Sequence, residues 1–529
     1  MAFLPQQADF EAIDQEQRNV RIRIDLMNGA GQVLDSLEGG CVSDSYRFDA
    51  GSDIRKTYDL VLEIEPGDES FQVGRDKKVF HDRLARVYAG IYHLRDREFR
   101  YYSLGVFLIN EASYGYGAES NRVSLNCLDL MARLNGARGG VCSGAALVVP
   151  ANNTLRGAAI DTLEQLGGVF DWRVEPMSVT VLGDGGYEQS ELLPYDLSFG
   201  AGATVADVLK KLMGFMAGWE MFFDENVFVM QPMRGHESDL LFMDAGEFAR
   251  YVVSEDTGAD LGAVKNVVEL WGKALKANRF AANSDDEPGN VVMSGATYEL
   301  RFSAGFELSS GYTVGFVPDA GNAAGVSLAL YAPDAVSGGW AHAGTFPALD
   351  WDNAPLPAGR LAAGKGYVFE YRESGADKFF YLLGEPQICA VCKLVSAYPS
   401  PAKVAFDLEN EPTSNIFYWV SPNSPFCSDF PEVGEIRAVL SGGEFSDIYS
   451  ERLAADRAKY ECWKTTDLVD VVSLSCVDIP FLDVNAKVEY FSHGLGKKDT
   501  YIVKEKKGSS ARGEMGLTLV RFQPLYPWL

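Results

Sequence analysis

Alternation at period two constrains this chain more than any other feature. Val20, Ile22, Ile24 and Leu26 alternate with Arg21, Arg23 and Asp25, so the apolar side chains share one face of an extended strand. Asn28-Gly-Ala-Gly31 is a turn signal, and residues 33–37 return as the partner strand. Tyr58, Leu60, Leu62 and Ile64 alternate again with Thr57, Asp59 and Glu63, until Pro66-Gly-Asp68 stops the run. Residues 86–92 have no helical spacing and read as a strand, as do 101–109 and 122–127. About six to seven short strands at this spacing predict a small barrel or sandwich.

The next stretch changes period. Residues 128–134 predict one or two helical turns ended by Asn135-Gly136, and the glycine-rich run 139–144 loosens the chain. Asn153 or Thr154 caps a predicted helix with Leu155, Ala159, Leu163 and Leu166 on one face, stopped by Gly167-Gly168. Thr204 and Asp207 form a capping-box pattern ahead of Val205, Val208, Leu209, Leu212 and Met216. Residues 219–223 and 227–230 read as a hairpin, completing a small α+β unit. Residues 263–271 predict a strand. A Gly-, Ala-, Asp- and Ser-rich stretch with short β runs then predicts a β-sandwich-like domain, closed by a hairpin of 367–371 and 378–382. A helix is expected over 446–463, capped by Ser446, followed by strands at 471–477, 486–491, 500–504 and 514–522.

The chain has 529 residues and is 47% apolar, enough for about three or four packed domains. Its 47 basic and 74 acidic residues give a formal net charge of −27. Such a surface repels nucleic-acid phosphates and anionic lipid, which excludes DNA wrapping and is compatible with DNA passing by. The first residues lack a basic stretch followed by an apolar run, so no signal peptide is expected. No window reaches ~18 uninterrupted apolar residues, so no membrane span is expected. The eight cysteines are scattered, which argues against a disulfide framework and for synthesis in a reducing compartment.

Reactive constellations are missing from the sequence. Cys389-Ala-Val-Cys392 is the sole CxxC, and in a β setting its thiols fall on opposite faces, which reads as core filler. His81, His93, His236, His342 and His493 are isolated, with no HExxH, no GxSxG and no phosphate loop. Asp285-Asp286-Glu287 reads as a solvated loop without EF-hand spacing. No catalytic, cofactor or metal residues are assigned, and an enzyme is not expected. Trp340, His342, Trp351, Asp352 and Asn353 are the exception worth following. Exposed indoles beside Asp and Asn bind sugars, the ring stacking on the apolar sugar face. The same indoles also fit the core of a β domain, and both readings stand at this point.

Two distant stretches resemble one known family. Leu104-Gly-Val-Phe107, Asp53-Ile-Arg-Lys-Thr57 and the junction Leu128-Asp-Leu-Met-Ala-Arg-Leu-Asn-Gly136 are similar to the N-terminal barrel of the tail-tip hub (tail-associated, or Tal) proteins of tailed phages. Pro480-Phe-Leu-Asp-Val-Asn485 and Phe522-Gln-Pro-Leu-Tyr526 resemble that family's closing strands. The resemblance implies a mainly β fold with α+β parts: two hub-type β-barrels, a small α/β domain and an inserted β-sandwich-like domain. The expected divisions are 1–135 for the first barrel, 150–231 for the α+β unit, and 232–278 with 465–529 for the second barrel. The insert covers 280–395, and 396–464 connects. The implied role is a homotrimeric ring at the virion tail tip, assembled in the host cytoplasm. It would close the tube, pass DNA, and contact a distal tail or tube protein, a tape measure protein and a fibre or receptor-binding protein. The hydrolase extensions of some relatives have no counterpart in this sequence. The alternative is a host-wall glycan-binding adhesin acting through 280–395.

Overall fold

The structure, a computed structural model, describes residues 5–15, 17–117, 121–144, 146–151, 153–181, 187–190, 192–193, 196–216, 218–233, 241–259, 261–281, 291–334, 336–350, 354–374, 377–465 and 470–521. It is mainly β with α+β parts, as expected. Seven N-terminal strands lead the chain: β1 (Val20–Met27), β2 (Val33–Glu38), β3 (Cys41–Asp49), β4 (Lys56–Ile64), β5 (Leu84–His93), β6 (Glu98–Tyr116) and β7 (Asn121–Asp129). The alternation explains them: Ile22, Ile24 and Leu26 of β1 and Tyr58, Leu60 and Leu62 of β4 all point into the core. The Asn28 side chain accepts from the backbone of Ala30 and Gln32 and sets the β1–β2 turn.

The strand-rich ends expected as two barrels share one antiparallel sheet of 12 strands. Its order runs Val252–Ala259, Asp470–Val477, Glu514–Arg521, Lys497–Ser509, β3, β4, β7, β6, β5, β1, β2, with Lys487–Ser492 also paired to Lys497–Ser509. The ladder is open: among the described residues its path ends at β2 and at Val252–Ala259. The two ends meet where β3 pairs with Lys497–Ser509, from Tyr46↔Gly508 to Asp49↔Glu505. One apolar core runs beneath both, with Tyr46, Phe48, Phe107, Leu474, Tyr501 and Leu517 among its members. Pro480-Phe-Leu-Asp-Val-Asn485, expected as strand, is a loop: Leu482 N–H closes a turn on Ile479, and Asn485 is left-handed at φ 63. The Phe522-Gln-Pro-Leu-Tyr526 motif and the acidic run at 285–287 lie outside the described residues.

Of residues 232–278, Val252–Ala259 lies in the large sheet, whereas Val267–Ala274 joins a four-stranded sheet with Ile416–Val420, Gln387–Val395 and Arg437–Ser441. The helix Glu451–Thr465 packs on that sheet and shares its core with the α+β unit. That helix begins later than its sequence suggests. Ser450 Oγ accepts from Leu453 N–H as a cap, while Ser446 Oγ donates to the Gly443 carbonyl. In the α+β unit, Thr154 caps Leu155–Asp161, and Thr204 with Asp207 forms the capping box of Val205–Gly214. The inserted region forms one eight-stranded sheet over its own apolar core. Cys389 and Cys392 are both buried on Gln387–Val395, on opposite faces as their spacing requires.

Candidate functional site

The joint between the two ends is densely hydrogen-bonded. Asp44 points inward from β3. Its carboxylate accepts from Tyr58 Oη and Ser509 Oγ (2.7 Å), and from the backbone N–H of Ser510 and Ala511 (both 3.0 Å). Tyr46 Oη donates to Asp478 at 2.6 Å across 432 residues of sequence. Lys506, fully buried, donates to the carbonyls of Ile479 (2.8 Å) and Leu482 (3.0 Å). Burial, then the Asp44 carboxylate, pushes the Tyr58 phenol well above its ordinary value, and burial with Asp478 does the same to Tyr46. Both phenols therefore stay protonated donors. Gly508, opposite Tyr46, leaves no room for a side chain: a Cβ there would sit 2.2 Å from the Glu514 carbonyl oxygen. These groups are occupied in fixing shape. Beside the joint lies an open cleft of about 500 Å³ lined by Ser43, Ser45, Asp59, Ser475, Arg512 and Glu514.

The junction Leu128–Gly136 works in the same way. Asp129 caps the short 3-10 helix Leu130–Arg133 by accepting from Met131 N–H, and its other oxygen accepts from Lys56 N–H on β4, both at 2.9 Å. Burial raises its pKa to about 6 against the pull of those two donors. Next door, Arg55 and Glu220 form a buried ion pair at 2.7 Å, and Asn485 Nδ2 donates to the same carboxylate. One carboxylate of the α+β unit thus holds a loop from each end of the chain.

The sugar-site residues read from sequence are placed unevenly. Trp340 opens the strand Trp340–Leu349 at 37% exposure, outside the core of the inserted sheet. Trp351, Asp352 and Asn353 lie outside the described residues. Beside the Trp340 strand, adjacent strands bring together residues that one strand's sequence does not reveal. Arg301, Tyr331 and His342 stand side by side on three adjacent strands. The Tyr331 and His342 rings lie 5.2 Å apart. Arg301 sits 5.6 Å from the Tyr331 ring and pairs with Glu299 at 2.6 Å. A bulge between Leu330 and Tyr331 uses Gly344, at φ 154, where a Cβ would meet the Phe346 ring at 2.6 Å. The extra residue turns His342 toward the same side as Thr345, and His342 Nε2 lies 2.9 Å from Thr345 Oγ1. The Trp-x-His spacing marks one exposed row in the sequence. The Arg301 and Glu299 partners arrive through a parallel pairing that leaves no local signal.

A family model described as "Domain of unknown function (DUF5048)" matches residues 423–526. No curated protein matches the chain. Similar solved structures include phage tail proteins. A tail protein from Neisseria meningitidis MC58 is 10% identical with a TM-score of 0.44, over 96% of this chain and 98% of that one. The 43 kDa tail protein of prophage MuSo2 from Shewanella oneidensis is 10% identical with a TM-score of 0.42, over 95% and 98%. Prophage tail protein gp18 from Listeria monocytogenes EGD-e is 9% identical with a TM-score of 0.37, over 94% of each chain.

Proposed function

We propose that this chain is a structural subunit of a phage-type tail tip: a baseplate hub that assembles as a homotrimeric ring, closes the tail tube and lets DNA pass. The observation that carries this reading is the single sheet built from both chain ends through β3 and Lys497–Ser509. Such a sheet makes a broad, stiff wall whose polar joint groups are already committed to one another. Two of its edges among the described residues, β2 and Val252–Ala259, are hydrogen-bonding rims that neighbouring copies or partners would cover. The residue-level resemblance of the Leu128–Gly136 junction supports the same role. The net charge of −27 suits a channel that does not retain a polyanion. In this reading the ring contacts a distal tail or tube protein, the tape measure protein, and a fibre or receptor-binding protein. The virion is its location.

Solution mass with negative-stain images tests it. The expected result is a perforated particle of three times the 57.9 kDa chain mass, with no cleavage of purified peptidoglycan. A solitary, unperforated molecule, or one that cleaves the wall polymer, overturns it. A second reading, a host-wall glycan-binding adhesin acting through residues 280–395, is favoured by one observation: the outward rings of Tyr331, His342 and Trp340 on two paired strands.

A further inference from the structure

We propose that the outer face of the strands Thr297–Arg301, Ser327–Pro333 and Trp340–Leu349 is a binding platform for an uncharged pyranose chain, deepening the adhesin reading on which it rests. Tyr331, His342 and Trp340 supply the ring surfaces. Arg301, Glu299 and Thr345 supply donors and acceptors for hydroxyls at the edges of those rings.

Three observations fix the ligand class. First, the rings form a row along the outer face while Leu328, Leu330 and Leu300 on the same strands fill the core. Tyr331, His342 and Trp340 hold outward positions on two paired strands, and their rings offer stacking surfaces for the C–H face of a sugar ring. Second, the charges on the platform balance, since Arg301 is already paired with Glu299. That balance, set in a chain of net charge −27, disfavours a polyanionic polymer and leaves polar groups for neutral hydroxyls. Third, the platform is built. The Gly344 bulge holds His342 against Thr345, fixing one donor–acceptor edge before any ligand arrives.

Titration of the full chain with neutral tetrasaccharides of glucose, galactose and N-acetylglucosamine, read by calorimetry and saturation-transfer NMR, tests the proposal, with poly(glycerol phosphate) as the anionic probe. At least one neutral saccharide is expected to bind. Tyr331→Ala and Trp340→Ala should each weaken it about tenfold or more, the loss expected for one stacking ring. Tyr331→Phe should keep binding. His342→Ala and Thr345→Val, at exposed positions, should each weaken it about threefold or more without changing the melting temperature, as befits single polar contacts. Tyr116→Ala, an exposed ring on β6, should change nothing. If no neutral saccharide binds, or only poly(glycerol phosphate) does, the platform and the adhesin reading fall together. If a neutral saccharide binds equally to all of the platform variants, the platform is wrong and the adhesin reading survives elsewhere on the insert.

Discussion

Asp44 is a charged side chain at an inward strand position, and the joint depends on its being there. Burying a carboxylate is unfavourable unless donors saturate it, and here four do. Asp44→Ala strands two backbone N–H groups at Ser510 and Ala511, so it should lower unfolding free energy by about 3 kcal/mol. Urea denaturation checks this, and a loss under about 1 kcal/mol contradicts the bonding assigned to Asp44. Asp129 gives a pH signature. Its folded pKa of about 6 lies above the ordinary 3.8, so the folded state holds that proton more tightly than the unfolded state. Its contribution is fully present below about pH 4 and is lost as pH rises through 6. Asp129→Asn should therefore flatten the fall in melting temperature between pH 4 and 7. An unchanged slope counts against the burial assigned to Asp129. The same residues show what sequence reading misses. The inward row of β3 is Asp44, Tyr46, Phe48. With an acid at its head, the alternation that announces β1 and β4 is broken in the strand that matters most.

Among the elements, the four-stranded sheet holds a buried charge network beside its apolar core. Lys393 is 2% exposed and its Nζ lies within 3.1 Å of Asp407, Glu411 and Glu435. Arg437 bonds Glu269, Glu411 and Glu435. Burial alone would raise these carboxylates. Lys403, Tyr418 and Lys393 outweigh it at Asp407, and Lys393 with Arg437 does so at Glu411 and Glu435, holding all three below the ordinary range. Their stabilisation is complete above the unfolded carboxylate range and is lost as pH falls through the lower folded values. Lys393→Met should cost about 1.5–3 kcal/mol near neutral pH, because Arg437 and Lys403 still hold the carboxylates that Lys393 leaves. Its melting temperature should fall less than the wild type's between pH 5 and 3, and parallel pH profiles contradict the network. The helix Pro401–Asn410 that brings Asp407 to Lys393 is hard to see in the sequence. Val404, Phe406 and Leu408 recur at period two, and the helix turns Asp407 inward while Phe406 and Leu408 face out. The helices at Leu155 and Val205 were legible because their stripes and caps follow the ordinary rule.

For the whole molecule, the mainly β class was readable because alternation is local. The union of the two ends was not, because pairing across more than 400 residues leaves no trace in either strand alone. The union has a direct consequence. Residues 1–135 expressed alone would bare the outer edge of β3 and the core face that Leu474, Tyr501 and Leu517 cover. That fragment should bind a hydrophobic dye and melt without cooperativity, and a cooperative native-like melt would show that the modules are independent. The most direct test of the continuous sheet is amide hydrogen exchange by mass spectrometry on peptides covering Cys41–Asp49 and residues 505–509. The account predicts slow exchange in both peptides, accelerated together by Asp44→Ala. Fast exchange at 505–509 beside a protected β4, or acceleration confined to one peptide, would contradict it.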